Sequence, residues 1–229
     1  MEEYVIGIGE IGLEATSFFT KNYKNFPNCA LVLASKERLN SNTDKDSYLK
    51  QISNKGHFVE VGSQKKDHEV QLESLLKAFG KAGRINLVFS LSETFSAELA
   101  VDVAHFLKRQ SWQFQIFTIF PFGFEGKKKL EHAQKISSKL IEVCPDITFF
   151  GGSESSIKID EKKSITDVSR IIFENIGNTI KKQQIRNWKI KIYQKVKSWI
   201  SDMLKIALGV CLGILGAKLV LKLLPELWK

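Results

Sequence analysis

The chain has 229 residues, 43% hydrophobic and 26% charged with only 4 Pro, a composition that excludes extended disorder, collagen-like repeats and low-complexity sequence. Its formal net charge is +9, yet residues 1–180 hold 23 Lys+Arg against 23 Asp+Glu, while residues 181–229 hold 11 against 2. The basic signal belongs to the last fifth of the chain, which argues against a nucleic-acid-binding body.

The N-terminus, MEEYVIGIGE, has no basic region before an apolar stretch, so no secretory signal is read there. Cys29, Cys144 and Cys211 lie far apart with no C-x-x-C, which points to a reduced, intracellular protein without a disulfide frame or zinc site. Tyr4–Ile8 reads as a first strand, followed by a helix through Phe19. Ala30–Ala34 and His57–Val61 read as further strands, Glu69–Lys81 as a helix and Ile85–Ser90 as a buried strand. Ser96–Lys108 reads as helix, Phe114–Phe120 as strand, Lys127–Glu142 as an amphipathic helix and Ile147–Phe150 as a last strand. Helix-length segments alternating with continuously apolar strands predict an α/β domain over 1–180, a mostly parallel, Rossmann-like sheet covered by helices on both faces.

The first strand runs into Gly7-Ile8-Gly9-Glu10-Ile11-Gly12, a G-x-G-x-x-G that opens a helix. Glycines there let the backbone turn tightly and bring free N–H groups up to a phosphate. By itself the pattern suits a dinucleotide fold, a guanine-nucleotide fold or a tight turn with no ligand, and Glu10 puts a negative charge where an anion would sit.

A second segment is more specific. Phe117-Thr-Ile-Phe-Pro-Phe-Gly-Phe-Glu-Gly-Lys-Lys-Lys-Leu-Glu-His-Ala133 resembles the stretch of the FtsZ branch of the FtsZ/tubulin superfamily in which a strand ends in P-F-x-F-E-G before a basic run and a helix. Pro121, Phe122, Phe124, Glu125 and Gly126 fall in register, and Ala133 and Leu140 match the helix that follows. Tyr4–Ala15 resembles the first phosphate loop of that family and Asn86–Phe89 the strand before its signature loop. Ile147–Phe150 resembles the strand before its guanine-contacting residues, and Ser164–Asn178 the start of its central helix. The resemblance covers residues 3–180, the nucleotide half of the family fold.

The departures bear on activity. Where the family carries G-G-G-T-G-[TS]-G, this chain reads Ser90-Leu-Ser-Glu-Thr-Phe-Ser-Ala-Glu-Leu-Ala100, with Glu93 and Glu98 in place of phosphate donors. Gly151-Gly152-Ser153 stands where the family's guanine-reading Asn-Asp would be, and the half that supplies the water-positioning loop is absent. The resemblance therefore implies a chain that does not hydrolyse GTP by the family mechanism. No cofactor is expected beyond residual GTP or GDP binding through Gly7, Gly9 and Gly12, with Lys36 or Lys127–Lys129 as other phosphate donors. His57, His68, His105 and His132 are scattered, and Ser90, Ser92 and Ser96 lack a G-x-S-x-G elbow, so no other catalytic site is expected.

Beyond Lys181 the character changes. Ile185, Trp188, Ile192, Val196, Trp199 and Met203 recur at helical spacing among Lys182, Arg186, Lys189, Lys191, Lys195 and Lys197. An aromatic and aliphatic stripe with a cationic surround over 181–202 suits anionic lipid; continuation of a body-packing helix is the structural alternative. Ile206–Ala217 is a run of 12 uncharged apolar or Gly residues, and the helix rise gives 203–224 a length of roughly 33 Å, near the hydrocarbon thickness. Ile206, Gly209, Gly213 and Leu215 lie in this stretch, with Trp199 and Trp228 flanking it, so 203–229 is read as a C-terminal anchor. Gly209–Gly213 is a G-x-x-x-G that permits close helix contact in lipid, and a buried C-terminal helix is the alternative.

Together these readings predict a membrane-attached, GTPase-deficient FtsZ-like scaffold at the cytoplasmic face of a cell membrane, with self-association or a protein partner. The alternative is a nucleotide-binding switch that still holds GTP through the Gly-rich turn. Nucleic-acid binding is disfavoured because 203–224 is too apolar for it.

Overall fold

The computed structural model describes the backbone of residues 2–23, 28–34, 56–61, 65–79, 83–151 and 165–223, and the side chains of 2–23, 69–77, 79, 83–151, 167–203 and 205. The chain divides into two compact units, Met1–Gln184 and Ile185–Lys229.

The first unit is built on a six-stranded sheet. In chain order its elements are β1 (Glu2–Ile8), α1 (Gly9–Asn22), β2 (Asn28–Ala34), β3 (Gly56–Val61), α2 (Lys65–Phe79), β4 (Gly83–Ser90), α3 (Thr94–Arg109), β5 (Gln113–Ile119), α4 (Lys127–Val143), β6 (Ile147–Phe150) and α5 (Ile165–Leu223). A 3-10 turn, Gly123–Glu125, precedes α4. The strand order is β3-β2-β1-β4-β5-β6 and every pairing is parallel. Parallel neighbours need crossover connections, and the helices between them cover both faces. The expected Rossmann-like α/β body is thus present. The differences are at element ends: α2 starts four residues earlier than its apolar spacing indicates, because its first turn, Lys65-Lys66-Asp67-His68, is polar.

The period-two alternation of the strands divides the core. Tyr4, Ile6 and Ile8 of β1 join Ile85, Leu87 and Phe89 of β4 in a cluster with α2, α3 and α4. Val5, Val88, Phe117 and Ile119 face the other way, against Ala15 and Phe19 of α1 and Val168, Ile172, Phe173, Ile176 and Ile180 of α5. Both faces of the central strands are therefore dry, which is why their sequences are continuously apolar.

A polar chain crosses the interior. Asn86 Nδ2 donates to Glu3 Oε2 at 3.0 Å and to the Tyr4 carbonyl at 2.8 Å, and Gln115 Nε2 donates to Asn86 Oδ1. Gln115 and Gln183 exchange amide hydrogen bonds of 2.8 and 3.0 Å, while Arg84 donates to Gln115 and pairs with Asp146. Glu3, Asn86 and Gln115 are buried, so each bond offsets a desolvation cost. Gln183 carries the first unit three residues past Ile180, the last apolar core residue of α5, and past the boundary expected at 180.

The expected segments 181–202 and 203–229 begin within one helix, since α5 runs unbroken to Leu223. Among the described residues no helix is long and apolar enough to cross a membrane, so a spanning segment finds no support there. The side chains of Ile206, Gly209, Gly213, Leu215 and Trp228, on which the anchor reading rests, lie outside the described residues.

Candidate nucleotide site

In this strand order the connections leave β1 and β4 in opposite directions, and the crevice beyond their carboxyl ends is where open α/β sheets bind ligands. Gly9 follows β1 at that edge and Glu93 follows β4. Gly7 pairs with Val88 across the two strands.

The three glycines do different things. A Cβ on Gly7 would meet the Gly12 carbonyl carbon at 2.7 Å and Thr16 Cγ2 at 2.9 Å, so Gly7 and Gly12 let α1 lie directly on β1. Gly9 has φ +74°, a conformation that glycine adopts without the steric cost of a side chain, and its missing Cβ leaves room for Ser96 and the Glu93 carboxylate.

The first turn of an α-helix leaves its N–H groups without intrahelical partners, and Ile8 at the N-cap of α1 offers no side-chain acceptor. Glu93 supplies the acceptor from another element: its Oε2 takes the Glu10 N–H and its Oε1 the Ile11 N–H, each at 3.1 Å. Ser96 Oγ donates to Glu93 Oε2 at 2.7 Å and fixes the carboxylate's position. The carboxylate thus straddles the helix start as two oxygens of a bound phosphate would. From the sequence Glu93 is expected to place a repulsive charge near a phosphate; in the structure its carboxylate caps the start of α1. The signal was the Glu93-x-x-Ser96 spacing, which sets acceptor and donor one helical turn apart.

Leu91 is buried, and Ser90 Oγ lies 2.7 Å from Ser92 Oγ and accepts from the Ser92 N–H at 3.1 Å, so this turn is closed by its own side chains. Glu10 lies in the first turn of α1, and burial together with the Glu10 charge raises the pKa of Glu14. Glu98 is exposed on α3.

The P-F-x-F-E-G stretch is a hydrogen-bonded turn. Glu125 Oε1 accepts the Phe122 N–H at 2.9 Å, and the Glu125 N–H donates to the Phe122 carbonyl at 2.9 Å. Phe122 and Phe124 stack with centroids 5.6 Å apart. Of the basic run, exposed Lys129 pairs with half-buried Glu125 at 3.1 Å, and Lys127 pairs with Glu131 at 3.7 Å, both of these exposed. Lys36, Gly152 and Ser153 lie outside the described residues. So do the side chains of His57 and His68; His105 is exposed, and the half-buried His132 has no partner for its Nε2. Among the described residues no group of His, Cys, Asp or Glu has the arrangement of a metal site.

In the second unit, Ile185, Trp188, Ile192, Val196, Trp199 and Met203 are each between 41 and 63% exposed. Here the helix covers none of its apolar stripe, unlike the stretch up to Ile180.

No family model matches the chain. No curated protein matches it either. Solved structures do. CetZ from Methanosaeta thermophila strain DSM 6194 superposes with a TM-score of 0.56 at 15% identity over 78% of this chain and 52% of its own. The GDP-bound monomer of CetZ1 from Haloferax volcanii gives 0.55 at 14% over 78% and 58%, and an empty FtsZ dimer from M. jannaschii gives 0.54 at 14% over 79% and 53%. The chain spans little more than half the length of these structures. At such identities the likeness is one of fold, and the fold of the body is FtsZ/tubulin-like.

Proposed function

We propose that this chain is a nucleotide-independent, FtsZ-like scaffold that attaches to a membrane through its basic C-terminal helix and assembles with copies of itself or a protein partner. The observation that carries the reading is the Glu93 carboxylate on the Glu10 and Ile11 amides. A phosphate entering there would have to displace a bound carboxylate and settle among Glu10, Glu14 and Glu93, and both steps oppose binding. Phosphoryl transfer is catalysed by positioning and by compensating charge. The Ser90–Ala100 turn offers neither a glycine-rich wrap nor a cation to an incoming triphosphate.

Self-association is supported by likeness to a protein whose structure is that of an FtsZ dimer. Membrane attachment is supported by the five cations between Arg186 and Lys197, with no acidic residue among them, set around an exposed apolar stripe. A nucleotide switch is the competing reading, favoured by the intact G-x-G-x-x-G turn.

The test is sedimentation and light scattering of the full chain with anionic vesicles, with and without GTP, alongside a phosphate-release assay. The proposal expects assembly that is indifferent to GTP and no phosphate release above the spontaneous rate. Assembly that appears only with GTP, or steady phosphate release, contradicts it.

A further inference from the structure

In the first unit α5 packs through Ile172, Ile176, Ile180 and Gln183. Steps of three and four residues from Gln183 lead to Asn187, Lys191, Gln194, Ser198 and Ser201, all polar, with Ile190 the one apolar residue in that phase. The apolar residues Ile185, Trp188, Ile192, Val196, Trp199 and Met203 follow their own three- and four-residue spacing in a different phase. At 100° per residue they fall within a sector of about 80°. This second stripe is therefore a separate surface rather than an extension of the core-packing one.

Its edges are cationic. Lys195 falls on one border of the sector and Lys189 on the other, where long side chains can lay their stems along the apolar face and hold the ammonium groups outward. Trp188 and Trp199, each 63% exposed, are eleven residues apart. That separation is three turns, which places the two indoles on one line about 16 Å apart along the axis. Indoles with one apolar edge and one N–H favour the boundary between headgroups and acyl chains.

Resting on the membrane reading above, we propose that residues 185–203 lie in the plane of an anionic bilayer surface, with Trp188 and Trp199 at one common depth. Charge selects the partner: a segment with five cations, Arg186, Lys189, Lys191, Lys195 and Lys197, before its one carboxylate, Asp202, repels a second copy of itself and is drawn to anionic headgroups. An upright helix would separate the two indoles by about 16 Å in depth, over half of the hydrocarbon core. An in-plane helix puts them level.

The experiment uses the full chain, with phosphatidylglycerol–phosphatidylcholine vesicles carrying bromine at a shallow or a deep acyl position. Single-tryptophan forms keep either Trp188 or Trp199, with the other three tryptophans changed to Phe. Because Trp112 packs on the body core, Trp188→Phe and Trp199→Phe are also made singly in the native chain and read by difference. The expected result is a blue shift and equal, shallow quenching of both indoles. Trp188→Ala/Trp199→Ala should also weaken vesicle binding roughly 100-fold with the body's melting unchanged. Deep quenching of one indole and shallow quenching of the other would overturn the in-plane arrangement while leaving membrane attachment standing. Binding without quenching of either would also overturn it, as would a lipid-independent blue shift that grows with protein concentration, the mark of a second copy. No binding to anionic vesicles would overturn the membrane reading itself.

Discussion

Glu93, the residue before α3, accepts the Ile11 N–H of α1 at 3.1 Å, so the N-terminus of one helix is capped by the side chain that precedes another. The bond joins residues 82 apart in sequence across the switch point of the sheet. It gives the start of α1 a carboxylate acceptor drawn from the far side of that switch point.

Removing that carboxylate should therefore loosen the body. Glu93→Ala leaves the Glu10 and Ile11 amides without their acceptor and costs about 1–2 kcal/mol in urea unfolding, with Glu93→Gln losing less because its amide oxygen still accepts. An unchanged midpoint in Glu93→Ala would mean that the cap contributes nothing.

The glycines are predicted to act on folding. Gly9→Ala places a side chain at φ +74° against Ser96, and Gly12→Ala drives a methyl toward Gly7 at 2.5–2.8 Å. Each should cost about 2 kcal/mol or more, measured by thermal or denaturant unfolding without nucleotide. Full stability in either variant would contradict the packing role.

Glu14 gives a pH test. Its pKa is raised by burial first and by Glu10 second, so the fold prefers its protonated form. The native state then holds the proton more tightly than the unfolded chain, and stability declines as pH rises from the unfolded value of 4.5 through the raised one. Glu14→Gln should be more stable than the native chain at pH 7 and lose that advantage below about pH 4.5. Equal gains at both pH values would rule out titration as the cause.

Tyr4 tests the other end of the scale. Its hydroxyl, with one proton to give, lies within hydrogen-bond reach of both Glu2 Oε2 at 2.6 Å and the Phe79 carbonyl, and burial, then the Glu2 hydrogen bond and charge, push its pKa up to about 12. Stability tied to the neutral phenol is complete below pH 10 and is lost between 10 and about 12. Tyr4→Phe should cost about 1–3 kcal/mol at pH 7 and flatten that alkaline decline. A decline as steep as in the native chain would assign it to other groups.

Gln115 holds the polar chain together. Gln115→Leu strands Asn86 Oδ1 and the Gln183 amide and is expected to cost about 2–3 kcal/mol. Amide exchange at Ile180 and Gln183 should speed up more than at Ile172; uniform protection would show that the pair does not fasten the end of the packed helix.

Much of the fold was legible because parallel strands buried on both faces read as apolar runs: Ile85–Ser90 and Phe114–Phe120 each fall within one or two residues of β4 and β5. The polar core was not legible, since Asn86 and Gln115 look like interruptions in those runs until their neighbours across the sheet are known. The site was half legible. The turn at Gly7, Gly9 and Gly12 is visible as a motif, but a motif does not distinguish glycines that admit a ligand from glycines that admit Ser96 and Glu93. Contacts between residues 82 apart are set by strand order, which one-dimensional spacing does not carry.

The most direct measurement is calorimetric titration of GTP and of GDP, each with magnesium, into the full chain and into Glu93→Ala. With the Glu93 carboxylate held on the Glu10 and Ile11 amides, the native chain is predicted to give no binding heat for either nucleotide. Micromolar binding of either nucleotide to the native chain would contradict the account and make the protein a nucleotide switch.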